Sequence, residues 1–116
     1  MEELNDVALT KVASYFRALS EPMRLRILNC LRDGEKSVRQ LTELSGGGQA
    51  NVSKHLSLLL EAGLVTREQR GTMAIYQIAD ACTYELCDLV CGNVAKILQR
   101  DAELHQAIQE AARRIG

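Results

Sequence analysis

Ser37-Val38-Arg39-Gln40-Leu41-Thr42-Glu43-Leu44-Ser45, then Gly46-Gly47-Gly48, then Gln49-Ala50-Asn51-Val52-Ser53-Lys54-His55-Leu56-Ser57-Leu58-Leu59-Leu60-Glu61-Ala62-Gly63, is the stretch that decides the fold. Ser37 followed three residues later by Gln40 has the spacing of a capping box, so a short helix starts there, with Val38, Leu41 and Leu44 inward. Three glycines then break it. A second helix follows from about Gln49 to Ala62, with Val52, Leu56, Leu59 and Leu60 on one face, and Gly63 ends it. Gln49, Ala50, Asn51, Ser53, Lys54 and Ser57 lie off that face. Two short helices joined by a glycine turn form a helix-turn-helix.

Upstream, Asp6 to Ala18 carries Ala8, Val12, Phe16 and Leu19 on a helical stripe. Ser20 offers an N-cap to the next helix, whose first turn holds Pro22, the only proline. That helix presents Leu25, Ile27, Leu28 and Leu31, and Gly34 is placed to close it. Downstream, Leu64 to Glu68 and Met73 to Ile78 read as two strands around a Gln69-Arg70-Gly71-Thr72 turn. From about Cys82 to Ile115 the pattern is helical again. Val90, Val94, Ile97, Leu104, Ile108, Ala111 and Ile115 form a seam that also takes in Cys87 and Asp101, and Asp101 marks a place for a bend or break. The expected architecture is mostly α with a small β-hairpin, a winged helix-turn-helix. It is one domain over 1–116, with a long C-terminal helix from about 82.

Composition narrows the function classes. At 116 residues there is room for one core. A hydrophobic fraction of 47% excludes wholesale disorder, and an aromatic fraction of 3% excludes a base-stacking platform. No apolar run reaches the ~20 residues of a membrane span. The first residues, Met1-Glu2-Glu3-Leu4-Asn5-Asp6, are acidic and lack the pattern of a signal peptide, so a cytoplasmic location is expected. The formal charge of -1 hides an asymmetry. Residues 11–36 hold six bases against three acids, while residues 79–116 hold four against six. A chain with one basic face is compatible with a nucleic-acid partner. The two histidines, His55 and His105, provide no nucleophile–base–orienter set, and no Cys-x-x-Cys is present. An enzyme is not expected. The glycine triplet follows a helix rather than a strand and lacks the Lys-Ser/Thr of a phosphate loop.

The helix after the triplet suits double-stranded DNA. A helix fits the major groove and reads base edges from its N-terminal end. Gln49 and Asn51 have the paired donor and acceptor that match adenine. Ala50 lies on the same exposed flank. Ser53 and Lys54 suit phosphate, and Arg70 at the hairpin tip is placed for phosphate or a neighbouring minor groove. His55 borders the buried stripe, so it is read both as a DNA contact and as a structural hydrogen-bonding group. A protein-contact module is the competing class, and it would show no salt-dependent DNA affinity. The long final seam is too apolar for one small domain to cover. Each buried Val, Leu or Ile contributes about 1.5–3 kcal/mol, so self-pairing is expected. A twofold dimer would present two reading helices to a palindromic site.

Four cysteines complete the inventory. Cys30 lies among apolar residues on the second helix. Cys82, Cys87 and Cys91 cluster at the start of the last. On a regular helix Cys82 falls about 140° from Cys87 and about 180° from Cys91. Three thiolates there converge only if Cys82 precedes the helix or comes from another subunit. The cluster suits a soft metal or metalloid such as As(III), reaction with oxidants or sulfane sulfur, or plain packing.

Four ordered segments resemble the ArsR/SmtB (arsenical-repressor) family of bacterial transcription factors. They are Ala18-Leu19-Ser20-Glu21-Pro22-Met23-Arg24-Leu25-Arg26-Ile27-Leu28, Gln49-Ala50-Asn51-Val52-Ser53-Lys54-His55-Leu56, Glu61-Ala62-Gly63-Leu64-Val65 and Ala74-Ile75-Tyr76-Gln77-Ile78. The resemblance covers nearly the whole chain from about Val12. It implies a homodimeric repressor on a palindromic operator, dimerising through its terminal helices and released by an effector. One departure is Gly47, where the family usually has an apolar residue in the turn. The family's Cys-x-Cys arsenic motif is missing from Ser37-Val38-Arg39-Gln40-Leu41. Its zinc pattern Asp-x-His corresponds to Asp80-Ala81-Cys82, and its second half falls on Asn93 and Lys96, which are poor ligands. Thiol-reactive members pair a cysteine of the second helix with one of the last, which the resemblance places at Cys30 with Cys87 or Cys91.

Overall fold

The computed structural model describes residues 5–115, with side chains through Arg114. Of the acidic N-terminal stretch, residues 1–4 therefore lie outside the described residues. The elements run α1 (Asp6–Ala18), α2 (Pro22–Cys30), β1 (Lys36–Ser37), α3 (Val38–Ser45), α4 (Gln49–Glu61), β2 (Val65–Arg70), β3 (Met73–Ile78) and α5 (Cys82–Ile115). They divide into two compact units, one running through Ala81 and the other formed by α5.

In the first unit, caps set the helix starts. Asn5 Oδ1 accepts from the Ala8 N–H at 2.8 Å. The cap of α2 is Glu21, not Ser20: its carboxylate accepts from the Arg24 N–H at 3.0 Å. Pro22 at the first helical position fixes this, because a residue preceding proline is pushed out of the helical region, and Glu21 is extended. The Ser20 hydroxyl instead donates back to the Arg17 carbonyl at 2.7 Å. The far end of α2 also differs from expectation. The helix stops at Cys30 with Leu31 as its cap, and Gly34, at φ 132°, belongs to the turn beyond. The capping box at Ser37 forms in full: the Gln40 N–H donates to Ser37 Oγ at 3.1 Å, and the Ser37 N–H donates to Gln40 Oε1 at 2.9 Å.

The sheet has three strands in the order β1-β3-β2, one more than the sequence suggested. β1 is two residues long, pairing Lys36 with Tyr76 and Ser37 with Ile75, and is too short to carry a periodic signal. β2 and β3 form an antiparallel hairpin whose last pair is Arg70 with Met73. The turn is therefore Gly71-Thr72 alone, with Arg70 inside the strand. Gly71, at φ 61°, supplies the positive dihedral such a two-residue turn needs.

The core lies among α2, α3, α4 and the sheet. Ile27, Leu28, Leu31, Leu41, Val52, Leu56, Leu59, Leu64, Val65, Ile75 and Tyr76 are buried. Three leucines expected inward are exposed: Leu25 at 42%, Leu44 at 58% and Leu60 at 36%. The stripe of α2 runs Arg24, Ile27, Leu28, Leu31, and that of α4 runs Val52, His55, Leu56, Leu59. Each follows i, i+3, i+4, i+7, with a polar residue at one core-facing position. Leu25 and Leu60 each sit one residue, about 100°, round from such a position. In α3 the buried Ser45 takes the place assigned to Leu44.

The second unit is one unbroken helix of 34 residues, so no break occurs at Asp101. At about 1.5 Å per residue it spans about 51 Å. Every side chain from Asp88 to Arg114 is exposed, including the seam residues Val90, Val94, Ile97, Leu104 and Ile108. Among the described residues no helix is long and apolar enough to cross a membrane.

Candidate nucleic-acid interface

α4 has two opposite faces. Val52, His55, Leu56 and Leu59 face the core, while Gln49, Ala50, Asn51, Lys54 and Ser57 are exposed and Ser53 is half-buried. The Ser57 hydroxyl donates to the Ser53 carbonyl at 3.0 Å. Gly48 starts the helix without a side-chain cap, so its first N–H groups carry the positive end of the helix dipole outward. Among the described residues Lys54 makes no ion pair. The polar flank read from the sequence is thus brought together on one exposed surface.

Two residues of the expected set sit differently. The His55 side chain is turned inward and is 11% exposed. Its Nδ1 accepts from Arg24 Nη1 at 3.2 Å, and its Nε2 lies 3.8 Å from Glu21 Oε2. Of the two sequence readings of His55, this placement matches the structural one, because a ring held at the α2–α4 contact is not on the exposed flank. Arg70 is exposed on the hairpin but paired, donating to Glu35 Oε1 and to Glu68 Oε2, each at 2.8 Å. The Arg70 hydrogen bond holds the Glu35 carboxyl below the usual range, and the same two carboxylates push the guanidinium further up.

Arg24, which the sequence reading passed over, is the most connected side chain near α4. Its Nε donates to the Ala18 carbonyl at 2.7 Å and its Nη2 to the Arg17 carbonyl at 3.2 Å, while Nη1 reaches His55. One guanidinium thus ties the end of α1 to the middle of α4. A sequence signal existed: Arg24 and His55 both occupy core-stripe positions of their helices, where a charged or polar group needs a buried partner.

The turn before α4 is tight. Gly46 caps α3 in the left-handed region at φ 75°. The Gly47 N–H donates to Ser45 Oγ at 3.3 Å. A methyl group built on Gly47 would meet Val52 Cγ2 at 3.1 Å and Met23 Cε at 3.2 Å, so the space an apolar turn residue would take is filled by Met23.

All four cysteines are thiols. Cys30 and Cys87 are half-buried, and Cys82 and Cys91 are exposed. Cys82 is the first residue of α5, so it does not precede the helix as a convergent three-sulfur site in one chain would require. Among the described residues no three His, Cys, Asp or Glu side chains gather closely enough to hold a metal.

Comparison with known proteins agrees with this geometry. Residues 21–67 match the family model described as "Bacterial regulatory protein, arsR family". The chain is 38% identical over 82 residues to the arsenical resistance operon repressor of Bacillus subtilis, covering 69% of this chain and 77% of that one. It is 38% identical over 85 residues to the transcriptional regulator NmtR of Mycobacterium tuberculosis, covering 73% and 71%. Among solved structures, a homodimeric winged helix-turn-helix DNA-binding domain from Mycobacterium bovis superimposes with a TM-score of 0.73 at 30% identity, covering 86% of this chain and 95% of that one. Fold, motif order and these likenesses lead to one conclusion: the chain belongs to the ArsR family of bacterial regulatory proteins.

Proposed function

We propose that this protein is a homodimeric, operator-binding transcriptional repressor of the bacterial cytoplasm, with α4 as the reading helix. The observation that carries the reading is the two-faced α4: an apolar stripe seated in the core and a contiguous polar flank facing solvent. In this reading Gln49 and Asn51 meet base edges, Ala50 lies against a base methyl, and Ser53 and Lys54 hold phosphates. His55 acts from behind, fixing the pitch of α4 through Arg24. Arg70 reaches a phosphate by exchanging Glu35 and Glu68 for it. The exposed seam of α5 is the surface a second copy covers, which spaces two reading helices for a palindrome.

The effector reading rests on the thiols. Cys82, Cys87 and Cys91 supply soft ligands for a metalloid such as As(III), with a second subunit contributing to the set, and Cys30 is the redox candidate. Effector binding at α5 would shift how the subunits cross and weaken operator binding by a coupling of about 1–3 kcal/mol.

The test is a fluorescence titration of a labelled palindromic duplex across salt concentrations. Affinity is expected to fall steeply with salt, and Lys54→Ala to lower the slope by about one. A protein that ignores duplex DNA at low salt refutes the reading. Operator release is then followed with As(III), Cd(II), Zn(II), peroxide and persulfide. Cys87→Ser is expected to keep operator affinity and lose the response. Normal release by that variant refutes the assignment of Cys87 as sensor.

A further inference from the structure

A cavity of about 550 Å³ opens between α1 and the C-terminal half of α4, within the first unit and beside Arg24. That volume is within the range of about 300–1,000 Å³ in which small-molecule sites fall. Lys11, Tyr15 and Arg17 line it from α1, Arg24 from α2, and Leu58 and Glu61 from α4. Three cations face one carboxylate there. Ser14, Ala18 and Ala62 complete the lining. Arg24 is not exhausted by its protein partners. A guanidinium has five N–H donors, and three of these are donated to Ala18, Arg17 and His55. Each terminal nitrogen keeps one N–H, so the guanidinium still has donors to offer a carboxylate.

We propose that this cavity is an effector site for a small organic acid, an anionic carboxylate on an apolar body, distinct from the thiols of α5. The carboxylate is held by Arg24 with Lys11 and Arg17, and the body rests against Leu58 and the two alanines. The site lies beside the reading helix. A carboxylate on the unused N–H groups of Arg24 pulls on the same guanidinium that donates to His55 Nδ1. The apolar body of the ligand also bridges α1 to Leu58 of α4, with the carboxylate on the cationic side away from Glu61. Occupancy therefore shifts the guanidinium that sets the pitch of α4. This coupling rests on the proposed DNA-binding role, whereas binding itself does not.

The two are tested separately on the full-length protein. In the first arm, ¹H–¹⁵N NMR follows titration with benzoate, octanoate and uncharged benzamide. Saturable shifts in the millimolar range, centred on residues 11–18, 24 and 58–62, are expected for the two carboxylates only. They should vanish in Lys11→Glu/Arg17→Glu, and in Leu58→Trp, which fills the cavity if the charge variant folds poorly. An absence of saturable shifts, equal binding of benzamide, or undiminished binding by both variants would overturn the site. In the second arm, benzoate at saturation is expected to weaken operator affinity at least fivefold in the wild type and not in Leu58→Trp. Carboxylate binding with unchanged operator affinity overturns the coupling. A protein that never binds operator, with or without benzoate, fails the proposed function instead.

Discussion

Replacing Arg24 by alanine removes three hydrogen bonds, but their loss is unequal. The Arg17 carbonyl keeps the Ser20 hydroxyl at 2.7 Å and the Ser20 N–H at 3.1 Å, so it stays satisfied. The Ala18 carbonyl loses its short bond from Nε, and His55 Nδ1 loses its donor within the core stripe of α4. A polar group left without a partner in a buried place costs about 1–3 kcal/mol. Arg24 is only half-buried, so water reaching the site offsets part of this, and a loss of ~2–4 kcal/mol is expected for the pair. Domains of this size have about 5–15 kcal/mol in total, so the change is large. At about 4–8 °C per kcal/mol it lowers the melting temperature by roughly 8–32 °C. Urea denaturation at fixed protein concentration measures it, since pairing of subunits makes apparent stability concentration-dependent. Arg26→Ala is the control: Arg26 is exposed and makes one long bond, Nη1 to the Ser45 carbonyl at 3.3 Å. In a double-mutant cycle with His55→Leu, coupling of at least ~1 kcal/mol is expected, because the two side chains share one bond. If Arg24→Ala costs no more than Arg26→Ala, or if the cycle shows no coupling, the tie between α1 and α4 is not what holds them.

Two further outcomes follow from the same geometry. Glu35→Gln with Glu68→Gln frees the Arg70 guanidinium from both carboxylates and should tighten operator binding, read as a lower dissociation constant and a steeper salt slope. Because Glu35 titrates below its ordinary range, the contact it makes with Arg70 is intact above the unfolded-state glutamate value and is lost as the pH falls through the depressed one. Ser37→Ala removes half of the capping box and should cost ~1 kcal/mol by thermal or urea unfolding, while Gln40→Ala should cost less because the Ser37 cap bond survives.

The helices were legible in the sequence because period and punctuation agreed: α1, the capping box at Ser37 and the glycine ends of α3 and α4 all lie where side-chain chemistry places them. Leu25, Leu44 and Leu60 look inward from the sequence, but each lies one position round the helix from the residue that faces the core, Arg24, Ser45 and Leu59 respectively. Ser20 looked the better cap by residue preference, but proline one residue later shifts the start to Glu21. β1 escaped notice because two residues cannot show a period and their stability comes from pairing with β3. Of the candidate site, the exposed flank of α4 was readable from its own amphipathicity. The carboxylates around Arg70 were not, since Glu35 is far away in sequence and only the folded wing brings it near.

The crowding at Gly47 reaches beyond the turn itself. Met23, on a different helix, has its terminal methyl in the volume that a side chain at position 47 would need. A side chain at 47 therefore presses on two neighbours at once, Met23 of α2 and Val52 of α4, and fits only as far as both give way. Shortening Met23 relieves one of these contacts and leaves the other, so a change at 47 also bears on the buried stripe of α4.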